Sequence, residues 1–437
     1  MSSRNLLSAK KKGLAYLVFS FLLIISACST ANVQFTPTVQ PSTPTLTPTI
    51  ISPTDTSTVA PTMTVNQECW KVKPITEAKT EIAGSFVYYD AELKRSMFLD
   101  ISSLKTKKTL SDFSYNSSVI SPDGSTFADI DYEKNKLTVT SAIGSMSFSV
   151  PDDAYFGGFL SNDRIWLLVS RAVLHNYVEG VGTTGEYYIL SLLTGELASY
   201  SVKLPNFRAD DHPTTHNTSY LKYSPDLNYA LYSTNASNGW NILLNLKTSE
   251  IVWSGGDPDY GSIGVAQPAW KPDSSAFTII SLSDDSKYYA NFHNVYIDGE
   301  DVQITHLEQV LGESYFLNTP YWSHNSRYLA FTANSDSGLT LFIFDSQTNT
   351  LIDPCVTENP DESFRIWIPL FWSPASDKLA LTWGGKARWE WIDPSKDKAK
   401  FVQETPPDVL IIDLTDRVIY KMPSSISLSG WLSWEIP

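Results

Sequence analysis

The sequence has few of the residues on which many enzymes depend. Its 437 residues include three cysteines and six histidines. Neither a GxSxG nucleophile elbow nor an HExxH zinc motif occurs in it, so the sequence lacks these signatures of serine hydrolases and zinc proteases. We therefore expect no catalytic residues.

Long hydrophobic runs are missing after the N-terminus. The only such run, "GLAYLVFSFLLIISAC" (13–28), follows Lys10, Lys11 and Lys12 and is too short for a spanning helix. Residues 1–27 therefore read as an export signal peptide. Ile25-Ser26-Ala27-Cys28 resembles the lipobox of bacterial lipoproteins, although that family prefers leucine where Ile25 stands.

This resemblance implies that Cys28 is diacylated and becomes the new N-terminus. Two or more acyl chains anchor a protein stably, because each buried methylene contributes about 0.8 kcal/mol. The protein would then be extracytoplasmic and lipid-anchored to a bacterial membrane or cell surface without crossing it. The alternative is an ordinary signal peptide with an incidental cysteine.

Positive charge is also scarce. The net charge is −15, and the segment 1–27 holds Arg4, Lys10, Lys11 and Lys12 but no acid, so the remainder carries −15 − 4 = −19. Such a surface repels nucleic acid and anionic lipid, and we expect no nucleic-acid partner. With 42% hydrophobic and 13% aromatic residues, the chain can still fill a sizeable core.

Residues 28–64 form a segment of a different composition. Between residues 29 and 64, 12 Thr, 6 Pro and 4 Ser account for 22 of 36 positions, and Asp55 is the only charge. Such a segment buries too little apolar surface to offset the entropy of ordering. We interpret it as a disordered tether, and residues 65–437 as the folded domain.

Turn motifs recur through this domain with a period near 50 residues. The best copies are "ISPDGSTFADI" (120–130), "YSPDLNYALYS" (223–233), "WKPDSSAFTII" (270–280), "WSHNSRYLAFT" (322–332) and "WSPASDKLALT" (372–382). Proline presets the turn, and Ser or Asp hydrogen-bonds the nearby backbone. Each turn is followed by a pair of residues, mostly large then small, that suits packing between sheets: Phe127-Ala128, Ala230-Leu231, Phe277-Thr278, Leu329-Ala330 and Leu379-Ala380.

A second set of turns follows 20 to 40 residues later, as in "LLTGE" (192–196) and "LKTSE" (246–250). These turns indicate hairpins between third and fourth strands. Seven of them occur, against six of the first set, and the first repeat begins at its second strand. The terminal "GWLSW" (430–434) resembles the "YWS" (321–323) that precedes a first turn, so it can fill this vacancy.

On these motifs the chain resembles the TolB-like, WD40-like (PD40) β-propeller repeat family, although only Ser121-Pro122-Asp123-Gly124 is a complete copy. The predicted fold is all-β: a seven-bladed propeller of four-stranded antiparallel blades. The C-terminal strand would close the ring on the N-terminal blade. Six or eight blades are the alternatives, because the first and third repeats are weak.

The long connections between repeats should share one face and carry any binding site. The first candidate is an insertion with Trp389, Trp391 and Arg388, whose aromatic and basic residues suit a protein or glycan ligand; buried channel-capping tryptophans are the alternative. Acidic loop residues such as Asp257, beside Tyr260, are a second candidate, although no calcium-loop spacing is present. A third is a divalent metal held by histidines on this face, with solvated loop histidines as the alternative: His175, His212, His216 and His293.

Cys69 and Cys355 remain once Cys28 is lipidated. Leftover cysteines of exported proteins often pair, so we expect a disulfide, with distant unpaired thiols as the alternative.

We expect a monomeric binding module for an envelope protein or glycan, with no cofactor. The alternative is a metal-dependent polysaccharide lyase or another glycan-active propeller enzyme, since some propellers are histidine-dependent pectate lyases.

Overall fold

A computed structural model describes most of the chain from Met63 onward. The described residues are 63–77, 82–90, 95–109, 119–152, 154–169, 184–203, 218–234, 241–255, 269–282, 290–312, 315–335, 338–358, 368, 370–384, 386–393, 398–405, 407–423 and 427–433. Met63 is 3% exposed and a strand begins at Thr64, so the domain includes two residues that the sequence analysis assigned to the tether.

The described elements are almost entirely strands. The first half of the chain contains β1 (Thr64–Gln67), β2 (Lys71–Pro74), β3 (Ser85–Asp90), β4 (Arg95–Asp100), β5 (Lys105–Thr109), β6 (Val119–Ile120), β7 (Thr126–Asp131), β8 (Lys136–Ser141), β9 (Gly144–Ser149), β10 (Ala154–Ser161), β11 (Arg164–Val169), β12 (Thr184–Ser191), β13 (Leu197–Lys203), β14 (Thr218–Tyr223), β15 (Tyr229–Thr234), β16 (Asn241–Asn245) and β17 (Ile251–Gly255).

The second half contains β18 (Ala269–Trp270), β19 (Ala276–Leu282), β20 (Ala290–Tyr296), β21 (Asp301–Gln303), β22 (Tyr315–Leu317), β23 (Tyr321–Trp322), β24 (Tyr328–Ser335), β25 (Gly338–Asp345), β26 (Thr350–Asp353), β27 (Thr357–Glu358), β28 (Leu370–Trp372), β29 (Lys378–Trp383), β30 (Lys386–Asp393), β31 (Lys398–Thr405), β32 (Asp408–Asp413), β33 (Val418–Pro423) and β34 (Ser427–Leu432). A 3₁₀ turn (Ile75–Glu77) and a short helix α1 (Glu308–Leu311) are the other regular elements described.

These strands form consecutive antiparallel sheets. Among the described residues, seven sheets have four or more strands, and we number them 1 to 7 in chain order. Sheet 1 is β34-β3-β4-β5; sheets 2 to 5 are β6–β9, β10–β13, β14–β17 and β18–β21. Sheet 6 is built on β22–β27 with β1, and sheet 7 on β28, β29, β32 and β33 with β2. The fold is an all-β propeller with blades of four antiparallel strands.

The pairs of residues that follow the first turns are the core of this arrangement. All ten side chains are at most 1% exposed, and they lie in the second strand of their sheets. Successive residues of a strand point to opposite faces. One side chain of each pair therefore packs towards the preceding sheet, and the other packs towards the following sheet. This confirms the packing role that the sequence pattern predicted.

Apolar clusters join successive sheets. Separate clusters lie between sheets 1 and 2, 2 and 3, 3 and 4, 4 and 5, 5 and 6, and 6 and 7. A further cluster joins sheet 7 to sheet 1, with Ile411 and Tyr420 packing in the same group as Phe86 and Trp431.

The last strand of the chain pairs with the first sheet, as the "GWLSW" motif predicted. β34 forms five residue pairs with β3, including Ser85 with Leu432 and Phe86 with Trp431. The Phe86 and Trp431 rings meet edge to face, with centroids 5.1 Å apart. Sheet 1 therefore combines strands from the two ends of the sequence.

Residues 63–77, here called the strap, were not predicted to form strands. β1 pairs in parallel with β26 of sheet 6, and β2 pairs in parallel with β33 of sheet 7. Met63, Trp70 and Ile75 insert into three successive inter-sheet clusters, between sheets 5 and 6, 6 and 7, and 7 and 1. The strap thus crosses the outer edges of two neighbouring sheets.

Cys69 and Cys355, which we expected to pair, form a disulfide with a Cα separation of 4.8 Å. Cys69 lies between the two strap strands, and Cys355 follows β26. The Nη1 atom of Arg417 lies 2.8 Å from the Oε2 atom of Glu68, which adds an exposed ion pair between the strap and sheet 7. The strap is therefore joined covalently to sheet 6.

Gly84 should be the glycine most sensitive to substitution at the junction of the chain ends. It adopts φ +103°, and a Cβ atom there would lie 2.1 Å from the backbone oxygen of Leu432. We expect Gly84→Ala to lower the free energy of unfolding by several kcal/mol, because it combines backbone strain of about 1–2 kcal/mol with a clash against β34.

The matched control is Gly312→Ala. Gly312 has φ +79°, but no atom lies within 4 Å of the position that a Cβ atom would take there. In the same urea-unfolding measurement, Gly312→Ala should lower the free energy of unfolding by the backbone strain alone. Equal losses in the two variants would contradict the role of Gly84 in seating β34.

Candidate functional site: the connection ends of the sheets

Each antiparallel sheet has two different ends. One end, here called the turn end, carries the turns between first and second strands and between third and fourth strands. The other, the connection end, carries the links between second and third strands and from one sheet to the next. A binding surface could lie at either end, and the two ends differ in structure.

At the turn end, the serine and aspartate side chains of the repeat motif form hydrogen bonds within the chain. In the turn of sheet 4, the Ser224 hydroxyl donates to the Asp226 carboxylate at 2.6 Å and accepts the Tyr229 amide at 3.0 Å. Ser121 makes the equivalent bonds in sheet 2, at 2.8 Å and 3.0 Å. Both serines are at most 1% exposed. The serine of the repeat motif is therefore a structural hydrogen-bonding residue.

Neighbouring turns are also bonded to one another. The Asp226 amide donates to the Ser274 hydroxyl of sheet 5 at 3.0 Å, and the Asp273 amide donates to Ser326 of sheet 6 at 3.2 Å. Ser274 and Ser326 occupy the last position of their turns with φ near +60°. The bonds align the turn ends of adjacent sheets side by side.

His324 shows that turns from distant sheets approach each other. It stands where most copies of the motif have proline. Burial lowers its pKa, while a hydrogen bond to Trp372 and the charge of Asp123 oppose the effect. Asp123 belongs to sheet 2. A Cβ atom on the adjacent Gly124 would clash with the side chain of Pro374 in sheet 7, so turns of sheets that are not neighbours lie close together.

The turn carboxylates should make stability pH-dependent. Burial raises the pKa of Asp226, but hydrogen bonds from Ser224 and Asn228 outweigh burial and hold that pKa below its usual range. A lowered folded-state pKa gives stability that is present above the unfolded pKa, about 3.9, and lost as the pH falls through the folded value. We expect Ser224→Ala to cost about 1–2 kcal/mol at pH 7 in urea unfolding.

This difference from the unsubstituted protein should shrink as the pH falls through the lowered folded-state pKa of Asp226, because protonated Asp226 no longer accepts a charge-assisted bond. Ser145→Ala is the control, because Ser145 is exposed and its hydroxyl bonds only the Thr140 hydroxyl, at 2.9 Å, in the described structure. A cost for Ser224→Ala that is the same at pH 3 and pH 7 would refute the assignment.

The connection end carries the inserted hairpin that the sequence predicted as a candidate site. β30 and β31 lie between β29 and β32 of sheet 7, and they form a two-stranded sheet of their own. The register sets Trp389 opposite Phe401, and Trp391 opposite Ala399. Residues 386–405 contain five basic and four acidic residues, in a chain of net charge −15. The hairpin is thus aromatic and close to neutral, unlike the rest of the protein.

An exposed tyrosine pair lies at the connection ends of sheets 2 and 3. Tyr132 and Tyr155 are 43% and 39% exposed, and their ring centroids are 5.9 Å apart. Polar contacts frame the pair: Lys134 to Asp131 at 2.7 Å and Asn135 to Asp152 at 2.6 Å. Sequence analysis missed these residues. The available signal was a tyrosine immediately after a second strand ("DYEK") and another at the start of a first strand ("DAYF").

His293 was expected in a connection loop, and this expectation is wrong. It lies within β20, the third strand of sheet 5, and its side chain is 17% exposed. Its Nδ1 atom is 2.9 Å from the Oδ1 atom of Asp301. Within the described ranges, no group of three or more histidine, cysteine or acidic side chains could hold a metal ion.

Several predicted residues fall outside the described ranges: Cys28, His175, His212, His216, Asp257 and Tyr260. Trp389, Trp391 and Arg388 are described in backbone only. In the part of the chain that the structure describes, no helix has the length and hydrophobicity needed to span a membrane.

Comparison with known proteins gives similarity at the level of solved structures only. No protein-family model matches the sequence, and no curated protein matches it. The β-propeller domain of Cps50 (Swd1) from Myceliophteria thermophila is 12% identical with a TM-score of 0.40, over 69% of this chain and 93% of that one.

TolB from Acinetobacter baumannii is 13% identical with a TM-score of 0.37, over 79% of this chain and 81% of that one. Dipeptidyl peptidase 4 from Porphyromonas gingivalis is 10% identical with a TM-score of 0.39, over 75% of this chain and 48% of that one. The fold assignment rests on the strand pairing described above, and these similarities indicate no function.

Proposed function

We propose that the protein is a lipid-anchored, extracytoplasmic binding module that holds a protein ligand at the connection ends of its propeller. The signal sequence and the lipobox-like Ile25-Ser26-Ala27-Cys28 support export and anchoring. The tether composition supports a spacer between the membrane and the propeller.

We further propose that the seven sheets are the blades of one closed ring. The cluster between sheets 7 and 1 supports this arrangement, as does the pairing of β34 with β3. In a closed ring both faces of every blade pack against neighbouring blades, and all connection ends lie on one face.

The observation that carries the binding proposal is the hairpin β30–β31. In the described structure, β30 and β31 pair with each other and not with the strands of sheet 7. Strand pairing within sheet 7 therefore does not require the hairpin. It also places aromatic and basic residues on the end of the sheets where the connections vary. Tryptophan and arginine are the residues most enriched at the energetic centres of protein interfaces.

A glycan ligand is the second candidate, and the exposed pair of Tyr132 and Tyr155 favours it. Aromatic rings framed by hydrogen-bonding side chains suit a sugar ring. Within the described structure nothing favours the lyase alternative, because His293 bonds Asp301 and lies in a strand.

The hairpin should be required for ligand capture. We expect Trp389→Ala combined with Trp391→Ala to weaken capture of an envelope protein by at least tenfold. The reason is that truncating a tryptophan at the centre of an interface typically costs about 2 kcal/mol or more. The measurement is affinity capture from native envelope by the full chain, followed by quantification of the bound protein.

Tyr200→Ala is the control, since Tyr200 is 44% exposed on the outer strand β13, away from the connection ends. It should leave capture unchanged. Recovery of no protein above background would refute the protein ligand. Retention on a glycan array that depends on Tyr132 and Tyr155 would instead support the glycan.

Anchoring should depend on Cys28. We expect Cys28→Ser to abolish incorporation of a labelled fatty acid and to move the protein from the membrane to the soluble fraction, because the lipobox-like motif acts through this cysteine. Cys69→Ser should retain the label. An unmodified Cys28 in the native host would refute the lipoprotein assignment.

A further inference from the structure

The strap is the segment through which the proposed tether joins the propeller. The tether precedes Met63, and the strap begins there with β1. If the tether is anchored, as the proposed function holds, tension on the protein enters the fold at Met63. Two covalent routes lead onward from that point.

The first route follows the backbone through β2 to β3. β2 holds sheet 7 by four residue pairs, and β3 holds the closing strand β34 by five, with an irregularity between Val87 and Tyr88. Gly84, whose backbone approaches Leu432 closely, lies directly before β3. Tension along this route would act on the junction of the two chain ends.

The second route passes through the Cys69–Cys355 disulfide into sheet 6. Cys355 follows β26, which pairs with β25. All eight residues of β25 are buried, and β25 forms eight residue pairs with β24. Cys355 lies between β26 and β27, which hold β25 by three and two residue pairs. The disulfide therefore lets a buried sheet share tension that would otherwise act on sheet 7 and the β3–β34 junction alone.

We propose that the disulfide is a mechanical clasp that transfers tension from the tether into sheet 6 and spares the β3–β34 junction. The strap upstream of the clasp is short. If β1 peels from β26, only residues 63–69 are released, a segment whose full contour length is about 25 Å. The clasp then stops further peeling.

Without the clasp, peeling continues along the strap. Release of residues 63–84 frees a segment whose full contour length is about 75 Å and brings the tension onto β3. Arg417 and Glu68 form an exposed ion pair there, and such pairs contribute little. The remaining resistance is the short parallel ladder of β2 with β33 and the burial of Trp70 and Ile75 in two inter-sheet clusters.

The test is single-molecule pulling of the full chain in magnetic tweezers. One handle is attached upstream of Met63, and the other at Leu193, a hairpin-turn residue of sheet 3 that is 81% exposed, through an encoded azide amino acid. In the oxidised protein we expect a first extension that does not exceed the contour length of seven residues, about 25 Å, before any sheet unfolds.

After reduction of the folded molecule with dithiothreitol, the first extension should exceed this limit, up to the contour length of residues 63–84, about 75 Å, and the ring should open at lower force. Cys69→Ser combined with Cys355→Ser should behave like the reduced protein and should not respond to dithiothreitol. Reduction in place keeps the test valid if this variant fails to fold.

The matched control is Glu68→Ala, which removes the ion pair of the strap and keeps the disulfide. Its first extension should equal that of the oxidised unsubstituted protein. Equal first extensions and opening forces in the oxidised and reduced proteins would overturn the clasp. This result is independent of the lipid anchor, because an unmodified Cys28 would refute the anchoring without changing the extensions.

Discussion

The pairing of β34 with β3 is the constraint on which the rest of the propeller depends. A sheet in this fold is stabilised by its neighbours, because each apolar cluster is built from two sheets. Sheet 1 contributes to the clusters with both sheet 7 and sheet 2, and β34 enters both. Its Leu428 and Trp431 pack towards sheet 7, and its Leu432 packs towards sheet 2. A single strand from the end of the chain thus completes the packing of three sheets.

Sequence reasoning recovers the parts of the structure that local patterns encode. The Ser-Pro-Asp turns and the buried pairs after them are such parts, because a turn and an alternation of burial involve only neighbouring residues. The sequence contains seven second turns but six first turns, so the first repeat lacks its first strand. The segment "GWLSW" supplies that strand.

The strap was missed because no local pattern marks it. β1 and β2 have four residues each, their partner strands β26 and β33 lie in the last quarter of the sequence, and Val65 and Val72 are exposed. Tyr132 and Tyr155 come together from two sheets, so their contact could not be deduced from spacing. The cysteine pairing was inferred from the predicted export of the protein. His293 was not recognised as a strand residue because the sequence before it, "SDDSKYY" (283–289), is polar.

The strap also covers the outer strands of sheets 6 and 7, which carry buried apolar side chains. Val418, Ile419 and Tyr420 of the outer strand β33 are buried. In the outer strand β26, half-buried and buried residues alternate. An uncovered outer strand of this kind would be a template for pairing with other chains. The outer strands of two other sheets are protected by composition instead: β5 carries Lys105, Lys107 and Lys108, and half of the residues of β9 are serines. The strap covers two outer strands that carry buried apolar side chains, so the segment that follows the proposed tether also keeps these two edges from pairing with other chains.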